Sequence, residues 1–369
     1  MSKGLAFPLL LAAREVFKGA NPSTKITPPG YLQMLLQNAK PNIINSGMDD
    51  GSGYIRDAKV RYRSRVPSGK TVTTDDCSVQ AKPAYKEFTV DSTLFNKYAI
   101  FFEHDVMAKF ERDALALQTL GTPSTTVVKE VMDAIMEAAN GLLADINISL
   151  LALQAANFGK NQVNGLNTAK TINFALSTAT NPLNAGMTEV MSDTMLNEIR
   201  MDGVVAVGSG LVNNYFLQQS AKGNDQSGVN TSNLFLPKFH FDPYAGTSWG
   251  ANQFGVFEKN AVQFINICRF RGPKAGQLGA DEFGTVILPL ADSLGNPIGA
   301  LEFDWQKRYI TCPTEITIGT DEEPTSVGRG VVIDLMCSYN QVNIASDAYE
   351  ATDRLTGNNG TLRYVATNA

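Results

Sequence analysis

Few positions in this chain of 369 residues could do chemistry, and it holds only two histidines. His104 sits in Glu103-His104-Asp105, where an acid/base role is conceivable, yet none of the patterns GxSxG, HExxH or SxxK accompanies it. A histidine flanked by carboxylates at a helix start is expected to make a local hydrogen bond or salt bridge. His240, in Phe239-His240-Phe241-Asp242, reads as an edge or loop residue. Gly203-Val204-Val205-Ala206-Val207 reads as a buried strand that enters Gly208-Ser209-Gly210 and then a helix over Leu211–Ser220. Strand, glycine turn and helix is the entry geometry of a nucleotide-binding loop. Asn213 occupies the third glycine place and no GK[ST] follows, so a tight turn explains the glycines equally well. Asp321-Glu322-Glu323 are adjacent rather than at chelating spacing and read as a solvated turn. Cys77, Cys268, Cys312 and Cys337 are dispersed, without CxxC, as reduced thiols in a cytoplasmic setting would be. No catalytic residue, cofactor site or metal site is expected from these positions.

The elements around them are more informative. Tyr54–Val66 alternates strictly: Ala58, Val60, Tyr62 and Val66 on one side, Lys59, Arg61, Arg63 and Arg65 on the other. A period of two marks a half-buried strand. Pro67-Ser68-Gly69-Lys70 makes a turn, and a return strand ends in Lys86-Glu87-Phe88-Thr89-Val90, giving a long hairpin. Between 54 and 90 eight basic residues face four acidic ones, a net of +4 that leaves −9 for the rest of a chain whose total is −5. Isolated hairpins are marginal in water. This one needs a surface to lie on, and a negative surface of a sister subunit would suit it as well as the molecule's own body.

Val106–Leu120 reads as a helix closed by Gly121, with Thr122-Pro123 opening the next. From Val127 to Phe158 apolar residues recur at helical spacing, among them Val131, Ile135, Ala138, Leu142, Ile146 and Leu150, with Gly141 as a place to bend. A helix of that length reads as a structural axis. Met187–Met201 is expected to be helical with Asp193, Glu198 and Arg200 outward. Residues 221–255 and 270–284 read as loops, and Leu301–Cys312, Glu315–Ile318, Gly330–Asn340 and Thr361–Val365 as strands.

At the start, Lys3 and Leu5–Ala13 have the texture of a short signal peptide, but Pro8 interrupts it and Arg14-Glu15 follow at once, so an N-terminal arm is expected. Net acidity is unlike a chain that grips nucleic acid through phosphate neutralisation. With 43% hydrophobic residues and no uninterrupted apolar run of about 18 to 20, the chain is expected to be soluble, with no membrane partner.

Taken together, these segments resemble the major capsid protein of tailed double-stranded DNA bacteriophages, the Hong Kong 97-type fold. The order is that family's: arm, extended hairpin (its E-loop), long spine helix, axial domain, return strands. Asp202–Ser209 with Asn214-Tyr215-Phe216 resembles its axial strand and helix, and Gly330-Val331-Val332-Ile333-Asp334 a late strand. The resemblance implies an α+β fold with an arm over 1–48, an E-loop hairpin over 49–92, and a peripheral domain with the spine helix over 93–185. Strands near 300–325 would return to the peripheral domain. An axial domain would occupy 186–300, and 326–369 would complete the axial and peripheral core.

The implied function is a non-enzymatic one: self-assembly into hexamers and pentamers of an icosahedral shell, within the virion and assembled in the host cytoplasm. Implied partners are further copies of the chain, a separate scaffold, a portal, decoration proteins and non-specifically packaged DNA. The inter-subunit surface would include Lys59, Arg61, Arg63, Arg65 and Lys70, with no crosslink predicted at Lys70. A nucleotide-binding enzyme, or a tail or decoration protein, are the alternatives.

Overall fold

A computed structural model describes residues 26–37, 42–46, 57–63, 85–91, 94–110, 112, 126–161, 169–174, 186–197, 199, 203–222, 238–266, 283–292, 296–314, 326–343 and 359–367. In chain order the elements are α1 (Gly30–Gln37), β1 (Asn42–Ser46), β2 (Asp57–Arg63), β3 (Tyr85–Asp91), β4 (Leu94–Glu103), α2 (Thr126–Ala156), β5 (Lys170–Asn173) and α3 (Gly186–Leu196). Then come β6 (Val205–Gly208), α4 (Gly210–Lys222), β7 (Lys238–Phe241), α5 (Ala245–Ser248), β8 (Gln253–Phe257) and β9 (Val262–Asn266). The last are β10 (Phe283–Ala291), β11 (Pro297–Thr314), β12 (Ser326–Asn343) and β13 (Thr361–Thr367). The architecture is mixed α+β.

The strands form three sheets. β1-β2-β3 is an antiparallel ribbon. β10-β11-β12-β4, with β9 also on β12, is a five-stranded antiparallel sheet. β5-β13-β8-β6-β7 is mixed: β5 runs parallel to β13 and β6 to β7, while β8 is antiparallel to both its neighbours.

Two cores follow from these layers. The apolar stripe of α2, with Val131, Ile135, Leu142, Ile146 and Leu150, buries against the large sheet through Phe102, Phe303, Trp305, Val331, Ile333 and Leu335. The second core joins Val190 of α3 and Val212 and Phe216 of α4 to Ile172, Phe254, Val256, Leu362 and Tyr364. The predicted long helix is therefore α2, and its 31 residues span about 46 Å. It stays one element through Gly141, where the Tyr98 ring lies 3.2 Å from the place a Cβ would take. Within its last 24 residues, Asp133–Ala156, an 18-residue window has mean hydropathy 1.3, long and apolar enough to cross a bilayer; here over half of that window is buried inside the protein.

The end of the arm is a wedge driven into the first core. Tyr31, Leu32, Met34 and Leu35 of α1 are buried. Asp242, 211 residues away in sequence, accepts the Tyr31 N–H at 2.7 Å, and Asn147 of α2 accepts the Leu32 N–H at 2.9 Å. A helix start needs such acceptors, and α1 takes them from other elements. The Tyr31 hydroxyl bonds Gln154 and Gln341, while its ring packs on Trp249 and Phe257.

One expectation is corrected and one is met. Asp193 does not point outward: it is 2% exposed and accepts hydrogen bonds from the Tyr364 hydroxyl (2.9 Å), Lys170 Nζ (3.2 Å) and Asn161. Partners from three other segments replace the water it would otherwise need. His240 does lie on the edge strand β7, but it is buried. Burial, with Lys238 nearby, pushes its pKa down to about 4, so it is neutral at pH 7. Glu198, Arg200, Gly121, Asp321-Glu322-Glu323 and Glu315–Ile318 lie outside the described residues.

Candidate assembly interface

The ribbon's chemistry is set by register. Antiparallel pairing puts directly opposite positions on the same face. Lys59, Arg61 and Arg63 share one face with Thr89, Glu87 and Tyr85, their partners on β3. Asn45 and Asn42 lie opposite Lys59 and Arg61 on β1. The other face carries Ala58 opposite Val90, Val60 between Ile43 and Phe88, and Tyr62 opposite Lys86. Asp57, Glu87 and Asp91 fall in the same alternation as Lys59, Arg61 and Arg63, so three acids and three bases share that set of positions, and Lys86 falls with the apolar set. Among the predicted interface residues the structure brings together Lys59, Arg61 and Arg63; Arg65 and Lys70 lie outside the described residues.

Charge on the described ribbon is nearly balanced. Four basic residues (Lys59, Arg61, Arg63, Lys86) meet three acidic ones (Asp57, Glu87, Asp91). Arg61 lies opposite Glu87, whereas Lys59 and Arg63 have uncharged partners on both sides wherever they are paired. Among the described elements, β1, β2 and β3 make their substantial contacts with one another alone. Sequence reading missed β1 because five residues, NIINS, carry too short a pattern to separate from the arm.

The body offers surfaces of both kinds. On the side of α2 away from its core, Glu130, Asp133, Glu137 and Asp145 are exposed. On the large sheet Phe95, Phe101 and Ile287 remain 39%, 52% and 52% exposed. Between them Asp334, buried, receives Arg308 Nη2 at 2.9 Å and Lys97 Nζ at 2.9 Å, from the strands on either side. Burial raises the pKa of this carboxyl, but the hydrogen bonds and charges of Arg308 and Lys97 outweigh it and hold the group below its ordinary value. That cluster explains a charged residue in the middle of β12. Sequence signalled it weakly, as one acid within Val331-Val332-Ile333-Asp334-Leu335.

The remaining candidates take structural roles. Gly208 ends β6, and a Cβ there would approach the Phe254 Cβ to 2.9 Å. Ser209 Oγ donates to the Ala251 carbonyl, the Gly208 carbonyl accepts from Asp242, and the Ser209 carbonyl accepts from Asn213 inside α4. The glycine turn is thus tied into its own fold, as a strand-to-helix turn requires. His104 Nδ1 lies 3.8 Å from Asp105 Oδ1 with both side chains exposed, a local contact as anticipated. Cys337 is a buried free thiol whose pKa is raised, first by burial and then by Asp304. Among the described residues no three His, Cys, Asp or Glu side chains converge on a possible metal site.

No family model matches the sequence, and no curated protein does. Several solved structures are similar to this chain over most of its length. The capsid asymmetric unit of cyanophage A-1(L) is 12% identical, with a TM-score of 0.46, and the match covers 93% of this chain and 94% of that one. The capsid structure of cyanophage P-SCSP1u is 12% identical, TM-score 0.36, over 93% and 90% of the two chains. The virus-like particle from Pyrococcus furiosus is 9% identical, TM-score 0.36, over 96% and 97%.

Proposed function

We propose that this chain is the major capsid protein of a tailed double-stranded DNA bacteriophage. It assembles into hexamers and pentamers that close an icosahedral shell. The observation that carries this reading is the ribbon β1–β3, an antiparallel three-stranded sheet whose central strand, DAKVRYR, alternates charged with apolar residues. A thin sheet with an apolar face is not stable bare in water. A second copy that supplies the missing surface resolves this and makes the contact repeat from copy to copy.

The rest of the molecule fits a wall element. Long α2 and the five-stranded sheet give a stiff plate, and its polar clusters are built from groups that satisfy one another. The role is structural and non-catalytic. Further copies are the main partner; a separate scaffold, a portal, decoration proteins and packaged DNA, held non-specifically, are the others. The place of action is the virion, after assembly in the host cytoplasm.

Negative-stain electron microscopy of the purified chain under assembly-promoting conditions, with sedimentation velocity alongside, tests the reading. Closed shells with a regular lattice are the expected result. Rings or tubes would replace the shell by a tail component, and a monomer at every concentration would overturn the proposal.

A further inference from the structure

Residues 26–37 cross the molecule from one sheet to the other. The Ala291 N–H of β10 donates to the Ile26 carbonyl at 3.0 Å, and the Thr27 N–H donates to Asn140 of α2 at 3.1 Å. The Tyr31 hydroxyl lies 3.0 Å from Gln341 on β12, and Lys238 Nζ of β7 donates to the Gln37 side chain at 2.9 Å. Between these ends α1 packs against β9 and β11 of the large sheet and against β6 and β7 of the mixed one. The segment is thus tied to the large sheet, to α2 and to the mixed sheet in turn.

The seat keeps most of its hydrogen bonds without the segment. Asn147 Nδ2 donates to Asp242 Oδ2 at 2.9 Å, and the other Asp242 oxygen accepts the Tyr244 N–H at 2.8 Å. Gln341 Nε2 donates to Gln154 Oε1 at 2.6 Å, and Gln154 Nε2 to Thr361 Oγ1 at 3.3 Å. Losing a partner costs a buried polar group most when nothing else satisfies it. Here the four side chains that hold Tyr31 and Leu32 also hold one another, so departure of the segment leaves few of them unpaired. Burial of Tyr31, Leu32, Met34 and Leu35 opposes departure and keeps the segment seated in the resting chain.

We propose that residues 26–37 are a releasable strap: seated, they fix the angle between the two sheets, and released, they let the mixed sheet turn against the large one. The released form is a minor state of the folded chain, reached by local opening. The device belongs to the single molecule and goes beyond the shell reading, so it stands or falls without reference to assembly.

A double variant, Tyr31→Phe with Lys238→Ala, tests it by removing the ties to β12 and β7 while keeping the ring of residue 31 in its packing. Hydrogen exchange read by mass spectrometry on the whole chain reports release of the strap. Pulsed electron paramagnetic resonance reports the angle, with nitroxide-bearing residues in place of Ala99 on β4 and Ser192 on α3, both exposed. α3 packs on the mixed sheet at β5, so the pair spans the two sheets. Exchange within residues 26–37 should quicken about tenfold or more, without a comparable change in β10–β12, and a second distance should join the single one of wild type. Three results overturn the strap: unchanged exchange within 26–37, exchange raised alike in every element, or quicker exchange of the strap with the distance distribution unaltered. Should circular dichroism show that the double variant does not fold, Tyr31→Phe alone carries the same test, read by the same outcomes.

Discussion

Gly30→Ala should destabilise the protein, although helix propensity alone predicts the reverse. Alanine is favoured over glycine within helices by about 1 kcal/mol. At position 30, however, a Cβ would sit 2.0 Å from the Phe241 carbonyl oxygen and 2.6 Å from its carbon. Both are backbone atoms of another element and cannot swing aside. Ordinary contact is about 3.4 Å, so α1 must retreat by over 1 Å, on the order of what breaks a hydrogen bond. The Tyr31 N–H bond to Asp242 (2.7 Å) and the Leu32 N–H bond to Asn147 (2.9 Å) would both be lost. Stranding buried partners costs about 1 to 3 kcal/mol each. Against the propensity gain, the net loss is about 1 to 5 kcal/mol. Urea unfolding followed by tryptophan fluorescence reads this directly, because one of the two tryptophans, Trp249, packs edge-on against Tyr31 at 5.7 Å. Gly299→Ala is the control: nothing lies within 4 Å of its would-be Cβ, and stability should change by less than about 0.5 kcal/mol. A Gly30→Ala protein as stable as wild type would refute the wedge role given to α1.

Acid should weaken the fold through His240. With the folded pKa at about 4 and the unfolded one at its ordinary 6.5, only the unfolded chain binds this proton between those values. Stability therefore falls as pH drops through that window, by about 3 kcal/mol in all, and His240→Leu should flatten that part of the pH profile measured by urea unfolding. An unchanged slope would contradict the buried neutral imidazole. On the ribbon, Val60→Asp should raise the assembly threshold by tenfold or more at low and high salt alike, because a lost apolar contact is not screened. Recovery of that variant at low salt would show that the apolar face is not part of the contact.

Long, regular segments were legible. The period of α2 runs over eight turns, and its predicted bounds, Val127 and Phe158, fall within two residues of Thr126–Ala156. β2 was read from strict alternation, and its partner β3 from the turn between them. Edge strands were not legible. β4 shows mostly exposed residues with only Phe102 buried, and among the described strands its outer edge has no partner. That dilutes the alternation on which strand assignment depends. β10 was passed over beside a glycine-rich stretch. The polar groups that matter most were the least legible, since their partners are remote in sequence. Asp242 caps a helix 211 residues upstream, Asp193 meets Tyr364 from 171 residues away, and Lys97 reaches Asp334 across a strand pair. A carboxylate in a helix pattern is read as solvated by default, and only the folded chain shows what desolvates it.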